Sequence, residues 1–467
     1  MSLRLGQEVQ GLPRPRDLIA AAPMASGREG AYLLYDVLLY ASGLFALPWV
    51  GLRCLVSLRY RSDLSARLGR GPVLEGAAPR VLLHGVSVGE VSAMRPLVGE
   101  LRARRPDLHL VVSSSTPGGR QTARRLFPDL DVVAFPIDFR GACRRFLARV
   151  RPAAVVLMEL EIWPNFLRGC SARQVPVAIV NGRITERSLS GYLRFQSLLP
   201  QFDRIALYGV QNELYAKRFE RLEVPPERIV RTGNLKFDVL PDSDDDAAWR
   251  ASPWPAWTGG RPALALGSTH APEELELLTA AAGRPEFADV LFLVVPRHPE
   301  RAPRLLRELR AALPGRPVQL RSAATEGAPL PAGAVLLVDG FGELEAAYRS
   351  VQVAFLGGSL IRHGGQNMLE AAALGVPVLV GPHTENFQEE VELLEAAGAL
   401  RSASEAGVLL EFAADWLADP AAAGSAGRAG REALAGRRGA AASTYAALSH
   451  AGFLPSPIST PGPVGPP

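Results

Sequence analysis

Glu90 is the first residue of the chain whose position suits acid–base chemistry. It follows the apolar run 81–83 and the glycine-containing turn 84–89, at the predicted start of a helix. A carboxylate held beside the end of a strand can accept the proton of an attacking hydroxyl group. An acidic residue also stabilises the first turn of a helix by about 0.3–1 kcal/mol without doing any chemistry. The spacing alone leaves both roles open for Glu90.

Two more acidic residues and a lysine stand in comparable positions. Glu159 and Glu161 follow the apolar run 153–158 and precede a Trp-Pro pair, an unusual composition for a purely structural turn. Sites in α/β sheets lie at the carboxyl ends of the strands, which is where we expect these acids. Lys236 closes the first half of the chain. It either binds an anion or remains a solvated surface lysine.

Three turns in the second half combine glycine, hydroxyl and cationic residues in a way that suits a phosphate. The turn 267–270, which contains Ser268, follows an apolar run and offers backbone N–H groups and a hydroxyl. Arg297 ends the next apolar run and can form a bidentate contact with an anion. Segment 357–370 carries two double glycines and then Glu370, which could bind ribose hydroxyls. Together these turns predict a nucleotide site.

A metal site is the less favoured interpretation of the acidic and histidine residues. Asp244 and Asp246 form a D-x-D pair, but no strand precedes it, so a solvated acidic run is the expected reading. No H-E-x-x-H spacing occurs. Five histidines are expected instead to be hydrogen-bonding neighbours of a site, namely His84, His270, His298, His363 and His383.

Composition narrows the classes of partner. The formal net charge is +4 and the sequence pI is about 9.1, which suits anionic small molecules or an anionic membrane surface. The excess is too small to indicate nucleic-acid binding. The three cysteines form no C-x-x-C pair, which is typical of a reducing compartment.

Apolar strand-like runs alternate with amphipathic helical segments twice along the chain. This pattern predicts an α/β protein with two Rossmann-like domains, each built on a parallel sheet, facing a central cleft. The predicted limits are a disordered extension 1–30, a membrane helix 31–58, an N-terminal domain 59–236, a linker 237–262, a C-terminal domain 263–453 and a disordered tail 454–467.

The N-terminal helix is the expected point of membrane contact. Residues 37–52 carry no charge, but this run is shorter than the roughly 20 residues that span a bilayer. Several arginines follow, which favours keeping the body of the protein on the cytoplasmic side. The segment is predicted to be an anchor or an interfacial helix, with a helix packed on the first domain as the alternative.

Taken in order, these residues resemble the Kdo transferases, which transfer 3-deoxy-D-manno-octulosonic acid (Kdo). The resemblance extends from the N-terminal helix through the second domain, and it rests on the motifs at 83–90, 158–165, 235–238, 295–300, 357–359 and 367–370. It implies the GT-B fold and an inverting, metal-independent enzyme without a cofactor. The implied donor is CMP-Kdo, and the implied acceptor is a lipid A precursor at the cytoplasmic face of the inner membrane.

The resemblance also implies roles for particular residues. Glu90 matches the general base, and Glu159 and Lys236 match residues that stabilise the transition state. Ser268, Gly358 and Ser359 of the glycine-rich turns are expected to bind the donor. The segments that match the CMP-binding parts of the family add further donor-binding residues, namely Pro296, Arg297, Phe341, Gly342, Glu343, Asn367, Met368, Leu369 and Glu370. Leu160 departs from the polar residue found in some relatives.

Two other functions are weighed against this one. Another GT-B nucleotide-sugar enzyme, such as a UDP-sugar transferase or an epimerase, would share the fold and differ in its nucleotide. A catalytically inactive, membrane-tethered nucleotide-binding protein would lack the acidic residues and the lysine that this chain retains.

Overall fold

A computed structural model describes residues 29–195, 201–241 and 246–456. The chain divides into two compact units, one formed by Met1–Val239 with Arg438–Pro467 and the other by Leu240–Arg437. The predicted N-terminal extension lies outside the described residues, apart from its last two residues, which belong to the first helix. The two parallel sheets confirm the predicted α/β fold class.

The first unit is built on a seven-stranded parallel sheet with the order β3-β2-β1-β4-β5-β6-β7. Leu82 and Leu83 of β1 are both buried, and their side chains enter separate hydrophobic cores on opposite faces of the sheet. The order reverses between β1 and β4, which is where doubly wound sheets bind ligands. The strands are β1 (Arg80–His84), β2 (His109–Ser114), β3 (Asp131–Ala134), β4 (Ala154–Met158), β5 (Val177–Gly182), β6 (Leu207–Val210) and β7 (Ile229–Arg231).

Helices cover both faces of this sheet, because its strands are apolar on both sides. They are α1 (Glu29–Val56), α2 (Leu58–Ser65), α3 (Val88–Ala93), α4 (Arg95–Arg104), α5 (Pro117–Leu126), α6 (Arg140–Val150), α7 (Pro164–Ser171), α8 (Glu186–Phe195) and α9 (Glu213–Glu220).

The second unit has its own seven-stranded parallel sheet, with the order β10-β11-β9-β8-β12-β13-β14. Its order reverses between β8 and β12. The strands are β8 (Ala263–Thr269), β9 (Leu291–Pro296), β10 (Val318–Leu320), β11 (Val335–Leu337), β12 (Val353–Leu356), β13 (Val378–Val380) and β14 (Leu400–Ser402). The sequence pattern did not predict the two edge strands β10 and β14, because Val-Gln-Leu and Leu-Arg-Ser lack the continuous apolar run that marks the buried strands.

Two short helices, α10 (Ala247–Arg250) and α11 (Trp254–Thr258), lie within the predicted linker 237–262. Trp254 and Trp257 are buried, and the indole of Trp257 donates to the carbonyl of Thr325 at 2.9 Å. This hydrogen bond attaches the second of these helices to the second unit. The remaining helices of that unit are α12 (Glu273–Ala282), α13 (Ala302–Ala312), α14 (Leu344–Tyr348), α15 (Leu369–Ala373), α16 (Gln388–Ala396), α17 (Ala406–Ala418) and α18 (Pro420–Ala435).

The C-terminal helix α19 (Ala440–His450) belongs to the first unit, although it follows the second in sequence. The predicted C-terminal domain therefore ends near Arg437 rather than at 453. Part of the predicted tail is also ordered, because Leu454 is buried and the carbonyl of Pro455 accepts a hydrogen bond from Arg105 at 2.7 Å. Residues 457–467 of that tail lie outside the described residues.

By its length and composition, helix α1 could cross a membrane. One side of its first half packs on the rest of the first unit. The Tyr32 hydroxyl is buried and accepts from Gln201 at 2.8 Å. The Tyr35 hydroxyl donates to Asp138 at 3.0 Å. Large apolar side chains elsewhere on the helix are exposed, among them Leu33, Leu38, Leu44, Phe45, Leu47, Trp49, Leu52, Leu55 and Val56.

Candidate functional site

Glu90 lies in the first turn of α3, at the carboxyl end of β1. Ser87 caps this helix, and its hydroxyl donates to Glu90 Oε1 at 2.8 Å. The backbone N–H of Val86 donates to the other carboxylate oxygen at 2.9 Å. The two interpretations of Glu90 are thus compatible, because the contacts that cap the helix also hold the carboxylate in one orientation.

Gly85 makes room for this carboxylate. A Cβ atom at that position would lie 3.0 Å from Glu90 Cβ and 3.0 Å from Met94 Cε. Burial raises the pKa of Glu90, and the charge of Glu159 raises it further, while the bonds from Val86 and Ser87 oppose the shift. A carboxylate with a raised pKa is a stronger base, which suits proton abstraction near neutral pH.

Glu159 and Lys236 form an ion pair close to Glu90. The distance from Lys236 Nζ to Glu159 Oε1 is 3.6 Å, and both side chains are partly exposed. Glu159 follows β4 with φ of +56°, a left-handed conformation that turns the chain sharply at the strand end. Since β4 is the neighbour of β1 across the reversal point, the sheet brings together the three residues that the sequence assigned to catalysis.

Asn181 is a residue of this region that the sequence analysis missed. It is buried at the end of β5, and its side-chain oxygen accepts from the backbone N–H of Leu235 at 2.9 Å. Asn234 in turn accepts from the N–H of Lys236 at 3.0 Å. These two asparagines fix the turn that carries Lys236. The feature of the sequence that could have identified Asn181 is an asparagine at the end of an apolar strand.

Glu161 adds a third carboxyl group to the cluster. Its Oε2 accepts from the indole N–H of Trp163 at 2.9 Å. Burial, together with the charges of Glu90 and Glu159, raises its pKa to about 8. Glu161 is therefore largely protonated at neutral pH, which limits the repulsion among the three acids.

His84 is a core residue rather than a member of an open site. It is fully buried, and its ring stacks on Phe135 with the centroids 3.6 Å apart. Its Nδ1 lies 3.0 Å from the hydroxyl of Ser113. Burial lowers the pKa of His84 to about 3, so the ring is neutral.

In the second unit, the double-glycine turn after β12 binds an internal carboxylate. Glu273 is buried, and it accepts from the backbone N–H groups of Gly358 at 2.8 Å and of Ser359 and Leu360 at 3.1 Å. It also accepts from the N–H of His270 at 2.9 Å. The turn does have the predicted anion-binding geometry, but these N–H groups hold Glu273, which corrects their expected role as a phosphate nest.

Close packing explains why the residue at the start of this turn is a glycine. A Cβ atom on Gly357 would lie 2.4 Å from Thr269 Cα and 2.5 Å from the carbonyl oxygen of Ser268. The ends of β8 and β12 can therefore approach each other only because residue 357 lacks a side chain. Ser268 itself is half-buried, with φ of +52°.

The other predicted donor-binding residues lie along the carboxyl edge of the second sheet. Pro296 is buried at the end of β9, and the Arg297 side chain is exposed beyond it. Phe341 follows β11 and is 81% exposed, which leaves its ring free to stack on a base. Glu343 pairs with Arg321 at 2.6 Å between Oε2 and Nε. Gly342, between them, has φ of +82°.

The segment 367–370 presents some groups and buries others. The side-chain amide of Asn367 donates to Glu370 Oε1 at 3.1 Å, and its oxygen accepts from the N–H of Leu369 at 3.2 Å. The side chains of Met368 and Leu369 are buried, so a ligand could meet only their backbone. Helix α15 begins at Leu369, so Asn367 precedes it.

The predicted D-x-D pair lies partly outside the described residues. Asp244 is not among them, whereas Asp246 is, and its carboxylate pairs with Arg250 at 2.8 Å. Among the residues of the three described ranges, no group of three or more His, Cys, Asp and Glu side chains is arranged to hold a metal ion.

Comparisons with known proteins point to one family. The profile of the 3-deoxy-D-manno-octulosonic-acid transferase (kdotransferase) family matches residues 62–239. The 3-deoxy-D-manno-octulosonic acid transferase of Bordetella pertussis is 38% identical over 401 residues, which cover 82% of this chain and 90% of that protein. The protein of the same name from Haemophilus influenzae is 33% identical over 412 residues, which cover 87% and 95% of the two chains.

Solved structures resemble the protein in fold. A UDP-N-acetylglucosamine 2-epimerase matches 83% of this chain and 100% of its own with a TM-score of 0.55 and 17% identity. A putative epimerase of that type from Listeria monocytogenes has a TM-score of 0.54 and 15% identity, over 82% and 99% of the two chains. At such identities the likeness shows only the fold, two Rossmann-like domains of the GT-B class. The sequence identity to the two transferases over nearly their whole length shows more: the chain belongs to the 3-deoxy-D-manno-octulosonic acid transferase family.

Proposed function

We propose that the protein transfers Kdo from CMP-Kdo to a lipid A precursor, with inversion at the donor carbon. Family membership makes the chain a Kdo-transferring glycosyltransferase. The observation that carries the proposal is the group of Glu90, Glu159 and Lys236 at the reversal point of the first sheet. The UDP-dependent and inactive alternatives lose their support, because the related chains are named as transferases of this one sugar.

Glu90 is the proposed general base. It accepts the proton of an acceptor hydroxyl while that oxygen bonds to the anomeric carbon of Kdo. The bond from this carbon to the phosphate oxygen breaks with its electron pair, so that CMP leaves and the proton stays on Glu90. The contacts from Ser87 and Val86 orient the carboxylate. A positioned base of this kind contributes typically about 10²–10⁴ in rate.

The remaining residues of the site are assigned to stabilising negative charge in the transition state or to binding the nucleotide. Lys236, oriented by Glu159, is assigned to the transition state. Arg297 is assigned to the phosphate of CMP, because an exposed guanidinium at a strand end can bind it through a bidentate contact. Phe341 is assigned to stacking on the cytosine, and Glu370 to the ribose. We propose that the transfer needs no metal, because CMP is already a good leaving group.

The membrane surface is the proposed site of action. The exposed apolar residues of α1 suit a lipid environment, and the lipid A precursor would lie in the same leaflet. An α-helix rises about 1.5 Å per residue, so residues 44–56 reach roughly 20 Å, less than the ~30 Å of a bilayer core. We therefore favour insertion into the cytoplasmic leaflet of the inner membrane over a full crossing.

A transfer assay tests this function. Purified protein, CMP-Kdo and a lipid A precursor are incubated with EDTA, and the products are identified by mass spectrometry. We expect the precursor to gain Kdo. Glu90→Gln should lower turnover at least about 100-fold and leave CMP affinity unchanged, because only proton abstraction is lost. The exposed Glu227→Gln is the matched control.

Three results would each contradict a part of the proposal. Wild-type protein that adds no Kdo would overturn the function itself. Turnover of Glu90→Gln within a factor of about three of wild type would remove Glu90 from the role of base. Activity that appears only when magnesium replaces EDTA would refute metal independence.

A further inference from the structure

Three histidines meet at the reversal point of the second sheet. His270 follows β8, His298 follows β9 and His363 follows β12, and these strands are adjacent in the order β9-β8-β12. The ring centroids of His270 and His363 are 4.2 Å apart, and those of His270 and His298 are 5.9 Å apart. The residues are far apart in sequence and are brought together by the sheet.

The surroundings of the cluster are rich in groups that carry or can acquire positive charge. Burial lowers the pKa of His270 to about 4, and four neighbours lower it further, in decreasing order His363, His298, Arg301 and Arg297. The His270 ring is therefore neutral at pH 7, and an anion placed among these groups would offset the unfavourable effect of their positive charge.

The nearby carboxylates are largely committed to other partners. Glu273 accepts four backbone N–H groups, including that of His270. Glu274 is buried and pairs with Arg301 at 3.2 Å. Glu300 lies 3.3 Å from His298, at the outer side of the cluster, where both side chains are exposed. His270, His363 and Arg297 form no ion pair with a carboxylate within the described residues.

The ring of His270 is held in a defined orientation. The amide nitrogen of Gln366 lies 3.1 Å from His270 Nε2, so the amide donates and Nε2 accepts. In the neutral ring the proton then resides on Nδ1. Nδ1 has no hydrogen-bond partner in the part of the chain that the structure describes, and it remains available as a donor.

We propose that His270 and His363, together with Arg297, bind an anionic group of the sugar-nucleotide donor. This inference rests on the proposed function and adds two histidines to the donor site. CMP-Kdo carries two candidate groups, a phosphodiester and a sugar carboxylate. Both are oxyanions that accept hydrogen bonds from imidazole and guanidinium groups.

Binding measurements on the full-length protein test the inference. Isothermal calorimetry and competition are used to compare CMP, which carries phosphate, with free Kdo, which carries the carboxylate, and with cytidine, which carries neither. The variants are His270→Gln, His363→Gln and the double variant, since glutamine retains some hydrogen-bonding capacity without a titratable ring. His109→Gln, which changes a half-buried histidine of the first unit, is the control.

We expect the variants to weaken the binding of one anionic probe at least about 10-fold and to leave cytidine unaffected, because a hydrogen bond to a charged group is lost. Loss of CMP affinity assigns the cluster to the phosphate, and loss of Kdo affinity assigns it to the carboxylate. Unchanged affinity for both probes would overturn the inference, as would equal weakening of cytidine, which indicates a structural effect. Wild-type protein that binds neither CMP nor Kdo would instead contradict the proposed function.

Discussion

Glu161 shows how strongly the fold changes the chemistry of one residue. It stands two positions after Glu159, and the strand end places both beside Glu90. Like charges in a partly buried site cannot all ionise without cost. Burial is the larger cause and the charge of the neighbouring acids the smaller one, and together they raise the pKa of Glu161 to about 8 and also raise the pKa of Glu90.

A pH-dependent stability difference should follow for Glu161→Gln. The pKa of Glu161 is raised from 4.5 to about 8, so the folded protein holds this proton more tightly than the unfolded chain does. Stability therefore falls as the pH rises from 4.5 toward 8. Glutamine has no proton to lose, so the variant should gain stability relative to wild type at alkaline pH. Melting temperatures at about pH 5.5 and 8.5 should show this gain growing by several degrees.

The exposed Glu75→Gln is the control for this comparison. Its melting temperature should follow that of wild type at both values of pH. A constant difference between Glu161→Gln and wild type across this range would show that Glu161 is not protonated in the folded protein.

At the scale of single elements, helix α19 returns to the hydrophobic core of the first unit, and one side chain caps its N-terminus. Asp238 accepts from the backbone N–H of Gly439 at 2.7 Å and of Ala441 at 2.6 Å. Asp238 follows the short turn Leu235–Phe237, which carries Lys236. The aspartate of this motif thus caps a helix that lies some 200 residues later in sequence.

Asp238→Ala should therefore destabilise the protein. The first N–H groups of α19 would lose their acceptor, which costs about 1–3 kcal/mol. Urea unfolding monitored by tryptophan fluorescence measures the change in the free energy of unfolding. Asp238→Asn keeps one acceptor oxygen and should lose less. An alanine variant as stable as wild type would show that the cap contributes nothing.

At the scale of the whole molecule, two sides of α1 differ in their surroundings. Tyr32, Tyr35 and Asp36 bind the first unit through hydrogen bonds, while apolar residues on the other side are exposed. Deleting the entire N-terminal segment would remove both sets of contacts. A test of membrane attachment should therefore leave the docked residues in place and change only the exposed ones.

Replacing Phe45, Leu52, Leu55 and Leu58 by serine should release the protein from membranes. Each exposed apolar side chain that enters lipid contributes about 1.5–3 kcal/mol. Fractionation should find the variant in the soluble pool, with weak activity on bilayer-embedded acceptor and near-normal activity on detergent-dispersed acceptor. Retention of the variant on membranes after a high-salt wash would place the anchor elsewhere.

The sequence by itself determined the two sheets and the three residues of the first site. Apolar runs of four to six residues define most strands, and the acids at their ends mark the edge where a site must lie. Glu90, Glu159 and Lys236 were assigned from the motifs that contain them, and the structure places them together. The fold class and the family were also evident from the sequence, because both depend on local patterns along the chain.

Only the tertiary structure decided which groups meet across the sheet. The glycine turn at 357–359 has the pattern of a phosphate site, yet a buried glutamate 85 to 87 residues earlier accepts the N–H groups of Gly358, Ser359 and Leu360. The pairing of His270 with His363, and the return of α19 to Asp238, join segments with no shared sequence pattern. Parallel strands bring residues that are distant in sequence together at one edge of the sheet. The periodicity of apolar residues indicates which side chains are buried, but it does not indicate which side chains from different strands contact each other.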